Sequence, residues 1–348
     1  MKTHLYKYLL IVIIGLHLFL LSRLIFFPYP ELFVYSYLTQ KGLIPYEQIF
    51  DQHFPGIMFF PINLATIGVD TPYEAKILHL TIIGLIHILL FNIGKNIFKS
   101  QKLALFGNLL YTLWQPFYEG YVLWIDLFIP LFSLPAFYFL TRTKKEFQVL
   151  AGFLLGMALL FKQVAAPFIL LVYFYLLFEK KNFKKTLPYL LGVLIPLFFL
   201  IVWIFGLNIW KDFFFWTITF NLTTFAQMGR KYPAFKELAL TIPLFGLAIF
   251  SYFVFLKKMS KGLVLLGIFL FGSLIFAFAR FDYIHLQPSL PFAVLMIIYA
   301  FKDIKKMSKL LISCYLIVSM FFLIPFLKDR VGKEVMFFGS LEEEVSRK

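Results

Sequence analysis

Apolar stretches of about twenty residues recur along this chain, and short basic clusters fall in every second gap between them. About twenty residues is the length a helix needs to cross a bilayer core of about 30 Å. Eleven such stretches can be placed, at approximately residues 5–27, 75–94, 103–119, 122–141, 148–162, 164–178, 187–206, 237–256, 262–279, 286–302 and 309–327. Composition leaves little choice. Of 348 residues, 61% are hydrophobic and only 15% charged, against roughly 45–50% and 25% in a soluble domain. The expected fold is all-α: a polytopic integral membrane protein of about 11 transmembrane helices.

A net charge of +15 would, taken alone, suggest nucleic acid as a partner. The placement of the charge excludes it. Segments 1–7, 95–102, 142–147, 179–186, 257–261 and 302–309 hold 19 of the 33 Lys and Arg but only 3 of the 18 Asp and Glu. Basic residues sorted to one set of alternate loops follow the positive-inside rule, so these segments and the N-terminus are expected in the cytoplasm. Residues 8–27 read as an uncleaved first span, because no small-residue cleavage site follows. The single Cys314 can form no internal disulfide, and its spacing from the six His fits no zinc motif.

On this reading residues 1–327 form one transmembrane domain with a long first extracytoplasmic loop, 28–74, and a second long outer loop, 207–236. Residues 328–348 form a short extracytoplasmic tail. Residues 56–69 are apolar but too short to span, and are expected to lie at the interface or re-enter the membrane. Residues 148–178 read either as two short helices meeting near Lys162-Gln163 or as one tilted helix, which would invert everything after it. Gly152 and Gly156 give a small-xxx-small face suited to close helix packing. His17, His79 and His87 fall within spans, where buried packing is the default.

The outer loops carry the informative polar residues: Glu31, Glu47, Asp51, His53, Asp70 and Glu74 in the first, then Glu119 and Asp126. Ionisable groups at membrane depth are costly, so those near span ends invite a functional reading. For Glu47, Asp70 and Glu74 simple solvation is equally open. Lys162 interrupts an apolar stretch. It must pair with a phosphate or a carboxylate, or snorkel to the headgroups.

The stretch from Pro30-Glu31 through Pro45-Tyr46, Asp51 and His53 to Pro55-Gly56 resembles the first outer loop of GT-C-type membrane glycosyltransferases. The nearest groups are the dolichyl-phosphate-mannose protein mannosyltransferases and the lipid A aminoarabinose transferases. Their pattern is an acidic pair after the first span, a Gly, Pro and Tyr stretch, an Asp and a Pro-rich turn. Glu31 takes the second place of the pair, with Pro30 in the first, and Gln48 stands where an Asp is frequent. The segment from Glu119 to Asp126 resembles the family's second acidic position. Gly152 to Lys162 resembles its glycine-rich helix ending in Lys, and Arg280 to His285 with Gln287-Pro288 its late outer turn.

The resemblance implies a GT-C-like fold and a donor sugar linked through phosphate to a polyprenyl lipid. An acceptor hydroxyl on a glycan, lipid or protein attacks the anomeric carbon as lipid phosphate leaves. A carboxylate would serve as general base, and cations would steady the leaving phosphate. The catalytic candidates are Glu31, Asp126 and Asp51. The substrate- or phosphate-binding candidates are Lys162, Arg280, His53, Tyr46 and His285, with Arg230 and Lys231 as further cations. No cofactor is expected; Asp51 with His53 is the one spacing open to a divalent metal.

The reading places a multi-pass enzyme in the plasma membrane with its active site extracytoplasmic. Three other readings stay open, one of them a polysaccharide ligase or polymerase of a different fold, which would share substrates but use outer-loop Arg or His more prominently. A transporter or flippase predicts inverted repeats and broken helices at the midplane, and no repeat is visible. A non-catalytic subunit of a glycan-assembly complex is kept open by Pro30 and Gln48, which thin out the expected acids.

Overall fold

A computed structural model of the chain describes residues 2–142, 144–255, 260–328 and 330–331. Among these, each of the eleven apolar stretches forms helix. The first is α1 (Lys2–Arg23). The long connection after it carries α2 (Pro30–Gln40) and the single turn α3 (Gly56–Phe59). Then follow α4 (Pro72–Phe98), α5 (Gln101–Trp114), α6 (Ile129–Leu140), α7 (Lys145–Phe161), α8 (Ala165–Lys180) and α9 (Leu187–Gly206). A second long connection holds α10 (Trp210–Phe214), α11 (Phe220–Leu222) and α12 (Thr224–Met228). The remaining helices are α13 (Phe235–Thr241), α14 (Leu247–Phe255), α15 (Lys261–Ala279), α16 (Leu290–Asp303) and α17 (Lys306–Lys328). A π-helical segment, Ile242–Gly246, joins α13 to α14. The tail beyond residue 331 lies outside the described residues.

Six of the helical segments are long and apolar enough to cross a bilayer: Leu5–Arg23, Pro72–Phe98, Leu187–Gly206, Phe235–Phe255, Lys261–Phe278 and Met307–Pro325. The other five are shorter and pack among them. In α16 the side chains of Phe292 to Ile298 are all at most 1% exposed, so this helix is core on every side. The outer surface, by contrast, shows Phe174, Phe178, Phe198, Phe205, Phe250 and Phe322 more than half exposed. Such a surface suits lipid rather than water.

Sequence detail explains the main breaks. Thr71 caps α4 in a capping box: its hydroxyl accepts from Glu74 N, and Glu74 Oε2 accepts from Thr71 N. Pro30 opens α2 at its first position, where the missing N–H costs nothing. Residues 148–178 are two helices, α7 and α8, as one of the two readings anticipated. Pro167, in the first turn of α8, explains the interruption. Within a continuous helix its ring would clash with the carbonyl of Gln163.

Gly152, Gly156 and Gly192 let α7 and α9 pack backbone to backbone. A Cβ on Gly152 would stand 2.0 Å from Tyr189 O, and one on Gly192 would stand 2.1 Å from Val149 O. We expect Gly152→Ala to lower stability by about 1–3 kcal/mol through overpacking. Thermal melting in detergent reads this directly. Gly15, with nothing within 4 Å of its Cβ position, is the control that should tolerate Ala.

A buried polar chain ties α1, α4 and α5 together. His87 Nδ1 meets Asn108 Oδ1 at 2.8 Å, His87 Nε2 meets His17 Nδ1 at 2.8 Å, and His17 Nε2 meets Gln115 Oε1 at 3.1 Å. Gln115 Nε2 then donates to Gly120 O, the same carbonyl that faces His79 Nε2. The intraspan histidines are thus packed and hydrogen-bonded, as polar groups among apolar helices must be.

Candidate functional site

Two short strands bring the expected acids into register. Phe27–Pro28 (β1) pairs in parallel with Val122–Leu123 (β2), Pro28 opposite Leu123. Tyr29 N donates to Leu123 O, and the Tyr29 ring lies 4.5 Å from that of Trp124. Glu31 and Asp126 each follow three residues after a paired strand residue. The connection after α1 and the connection after α5 therefore carry their acids at matching positions beyond the paired strands.

One cavity of about 260 Å³ gathers most of the expected residues: Glu31, Asp51, His53, Lys162, Arg280 and His285 all line it. Its wall comes from five connections, those following α1, α5, α7, α9 and α15, with Phe276 from the end of α15. The basic segments occupy the other set of connections, after α4, α6, α8, α14 and α16. The cavity-forming connections thus alternate with those that carry the basic segments, although the one after α9 also holds Lys211, Arg230 and Lys231.

The buried centre is an ion triad. Lys162 Nζ lies 3.0 and 2.8 Å from the two oxygens of Asp126, and His285 Nδ1 lies 3.0 Å from Asp126 Oδ2 and 3.1 Å from Lys162 Nζ. Asp126 is 0% exposed and Lys162 only 5%. Lys162 therefore does not snorkel; it is neutralised in place. Burial, reinforced by Lys162 and opposed by Asp126, lowers the His285 imidazole below its ordinary value, so this ring is neutral. Asp126 stands behind the wall as counter-ion to Lys162, with both oxygens engaged.

Glu31 is in a different state. It sits in the first turn of α2, where the helix dipole favours an acid. It lines the cavity, and its Oε2 is buried with no hydrogen-bond partner. Asp51 is committed to His53. Its Oδ1 accepts from His53 N at 2.6 Å and lies 2.9 Å from His53 Nδ1. That contact places the ring proton on Nδ1 and leaves Nε2 as a lone pair when the ring is neutral.

Tyr46 lies behind the wall. It is fully buried against Phe59 and Phe213, and its hydroxyl donates to His53 O at 2.8 Å. It shapes the loop that carries Asp51 and His53. Gly56 closes the same loop against α7, where a Cβ would meet Phe161 Cα at 3.0 Å. Residues 56–69, expected at the interface or re-entrant, are one helical turn followed by tight turns folded onto the bundle.

At the rim, Arg280 Nε pairs with Asp282 Oδ2 at 2.8 Å, and Lys231 bridges Asp282 and Glu237. Burial raises the Asp282 carboxyl, but Lys231 and Arg280 together outweigh it and hold the group below the usual carboxylate range. Arg230 is exposed and does not line the cavity. Glu47 is exposed, Glu74 serves its helix cap, and Glu119 accepts from Ile284 N.

The cavity also holds residues the sequence did not single out. Tyr29 and Tyr35 are phenols that burial pushes up to about 12, so they stay protonated. Gln52, Gln163 and Asn221 line it as well. Among the described residues, no group of three or more His, Cys, Asp or Glu is placed to hold a metal ion.

This bundle of apolar helices, whose alternate connections enclose a polar cavity, shares its polytopic helical fold with ArnT. Residues 63–205 match the family described as dolichyl-phosphate-mannose-protein mannosyltransferase. The chain is similar to ArnT from Cupriavidus metallidurans bound to undecaprenyl phosphate, at a TM-score of 0.67, 13% identity and 91% of this chain covered. The apo state of the same protein gives 0.65 at 13% identity, again over 91% of this chain. The chain spans 63% of the length of these ArnT structures. No curated protein sequence matches it.

Proposed function

We propose that this protein is a membrane glycosyltransferase that moves a sugar from a polyprenyl-phosphate donor to an acceptor at the extracytoplasmic face. The observation that carries the reading is the cavity. It joins a partnerless carboxylate, Glu31, to the cations Lys162 and Arg280. Apart from Phe276 at the end of α15, it is built from the connections that alternate with the basic ones. By the positive-inside rule the basic set faces the cytoplasm, which puts the cavity outside in a plasma-membrane protein. The undecaprenyl phosphate bound by ArnT, a protein of the same fold, supports a lipid-phosphate partner here.

In the proposed reaction the acceptor oxygen forms a bond to the anomeric carbon, and the bond from that carbon to the phosphate oxygen breaks. Glu31 takes the hydroxyl proton as general base. The electron pair leaves on the lipid phosphate. Arg280 is the cation best placed to meet it: only its Nε is engaged by Asp282, whereas Lys162 is held by Asp126 and His285. Asp126 acts by holding Lys162, and Asp51 by fixing His53.

The test is a reconstitution. Full-length protein in liposomes with a labelled undecaprenyl-phosphate hexose and a membrane extract as acceptor source should convert the donor to free undecaprenyl phosphate. Absence of conversion across a panel of such donors would count against the reading. Sidedness has its own test. In a Cys314→Ser background, a cysteine replacing the exposed Glu47 should react with an impermeant thiol reagent only from outside the cell. Labelling from the cytoplasm would overturn the topology.

A further inference from the structure

The turn that carries Arg280 and His285 is capped from a distance. Asp282 precedes a short 3₁₀ helix, Tyr283–Leu286, and holds its N-cap position. An Asp there ordinarily accepts from the second or third N–H of the helix. Asp282 makes no such side-chain bond. Its Oδ2 accepts from Arg280 Nε at 2.8 Å and its Oδ1 from Lys231 Nζ at 2.9 Å. His285 N donates to the backbone oxygen of Asp282 at 3.0 Å, which leaves Ile284 N for the cap. Ile284 N donates to Glu119 Oε2 at 3.1 Å, 165 positions away in sequence. Glu119 is half-buried and does not line the cavity. It reaches Ile284 from a strained backbone, since its φ of 54° is left-handed, a region unfavourable to a residue with a Cβ. Gly120 follows, where a Cβ would collide with the Gln115 side chain. Close by, Gln287 Nε2 donates to Tyr118 O at 2.6 Å. The turn after α15 is thus tied at two points to the connection after α5, which leads on to Asp126.

Asp282 has one carboxylate and two competing uses for it: the cap, and the cations Arg280 and Lys231. With Glu119 on Ile284 N, Asp282 is released to the cations. We propose that Glu119 is a positioning residue for Arg280: it takes over the cap, and so keeps Asp282 turned to the rim, where Asp282 orients the guanidinium that meets the leaving phosphate. The inference rests on the glycosyl-transfer reading and adds to it a residue outside the cavity. Without Glu119, the Asp282 carboxylate stands two residues before Ile284, where an N-cap Asp reaches the free N–H. Turning to it would give up Arg280 Nε. Lys231 could not then stand in for Asp282, because like charges repel. The strain at Glu119 agrees with this role. A left-handed Glu beside a Gly persists where the surrounding contacts hold it there.

Full-length variants in liposomes, assayed with the labelled undecaprenyl-phosphate hexose that the wild type converts, test this. Glu119→Gly is the decisive variant. Gly adopts the left-handed backbone without strain, and the Gln287 tie to Tyr118 O remains. The variant should lower kcat/KM about tenfold, the scale of one net hydrogen bond. Glu119→Gln keeps an acceptor oxygen for Ile284 N and should restore most of the loss. In an Arg280→Gln background, Glu119→Gly should lower the rate no further, because residues that act as a unit are not additive. A tie that served only the fold would lower the rate alike in both backgrounds. Melting in detergent reads the exchange of caps without any substrate. Asp282→Ala should lower the melting temperature more in the Glu119→Gly background than in the wild type. In the first it removes the last cap; in the second it removes only exposed ion pairs.

Wild-type turnover by Glu119→Gly would overturn the assignment while leaving the glycosyltransferase reading intact. A loss that persists undiminished beside Arg280→Gln would also overturn it, since Glu119 would then act elsewhere. Equal effects of Asp282→Ala on melting in the two backgrounds would do the same, because Asp282 would not be exchanging partners. Failure of the wild type to convert any labelled polyprenyl-phosphate sugar would remove the reaction and the part of Glu119 in it together. The melting comparison would still decide whether Asp282 and Glu119 compete for one cap.

Discussion

Glu31→Gln is expected to slow sugar transfer by about 10²–10⁴-fold while leaving the protein folded and able to bind lipid phosphate. The substitution keeps the shape of the side chain and one acceptor oxygen. It removes the capacity to take a proton. No hydrogen bond depends on Glu31 Oε2, so the fold loses little. The loss should therefore appear in kcat far more than in KM, the pattern of an interaction made in the transition state. Single-turnover consumption of a labelled undecaprenyl-phosphate sugar separates the two. A specific rival exists on the same wall. Asp51 fixes the proton of His53 on Nδ1 and leaves Nε2 as a base, the arrangement by which an Asp orients a catalytic His elsewhere. If Glu31→Gln turns over at the wild-type rate and His53→Gln does not, the base is His53 and the assignment of Glu31 fails.

The helical bundle was legible because two independent signals agreed. Runs of apolar residues marked the helices, and the sorting of Lys and Arg set their number. The five short helices show the limit of that reading. Length alone cannot separate a full span from a core helix such as α16, because both are uniformly apolar. Gly152 and Gly156 announced close packing but not its partner, which proved to be α9 and its own Gly192. At the site, charge at the wrong depth was the readable feature. It marked Lys162 as needing a phosphate or a carboxylate unless it snorkelled, and Asp126 is the carboxylate, 36 positions away in sequence. Charge could not say that both oxygens of Asp126 would be consumed, nor that Tyr46 would support the loop from behind. Gln52 and Gln163 were invisible for a different reason. A neutral amide carries no periodicity and no charge pattern, so only its place on the cavity wall in three dimensions reveals it. The chain His87–His17–Gln115 was equally hidden, since it joins residues 70 and 98 positions apart.

Lys162→Met is expected to cost about 3–5 kcal/mol of stability, because it leaves Asp126 as an uncompensated charge in the core of the bundle. Asp126→Leu should cost a similar amount by stranding the ammonium. The double variant, Asp126→Leu with Lys162→Met, should recover more than half of either loss, since a buried ion pair replaced by apolar groups of similar size is often close to neutral. His285 keeps the recovery incomplete, as its Nδ1 then faces neither partner. Thermal melting of the four proteins in one detergent closes the cycle and isolates the coupling between the two sites. Activity should not follow stability. If the triad exists to hold a cation and a neutral imidazole at the floor of the cavity, the refolded double variant stays inactive towards undecaprenyl-phosphate sugars. If it transfers sugar at the wild-type rate, Lys162 and Asp126 serve only to join α7 to the connection before α6. Arg280 would then be the sole cation required at the leaving phosphate.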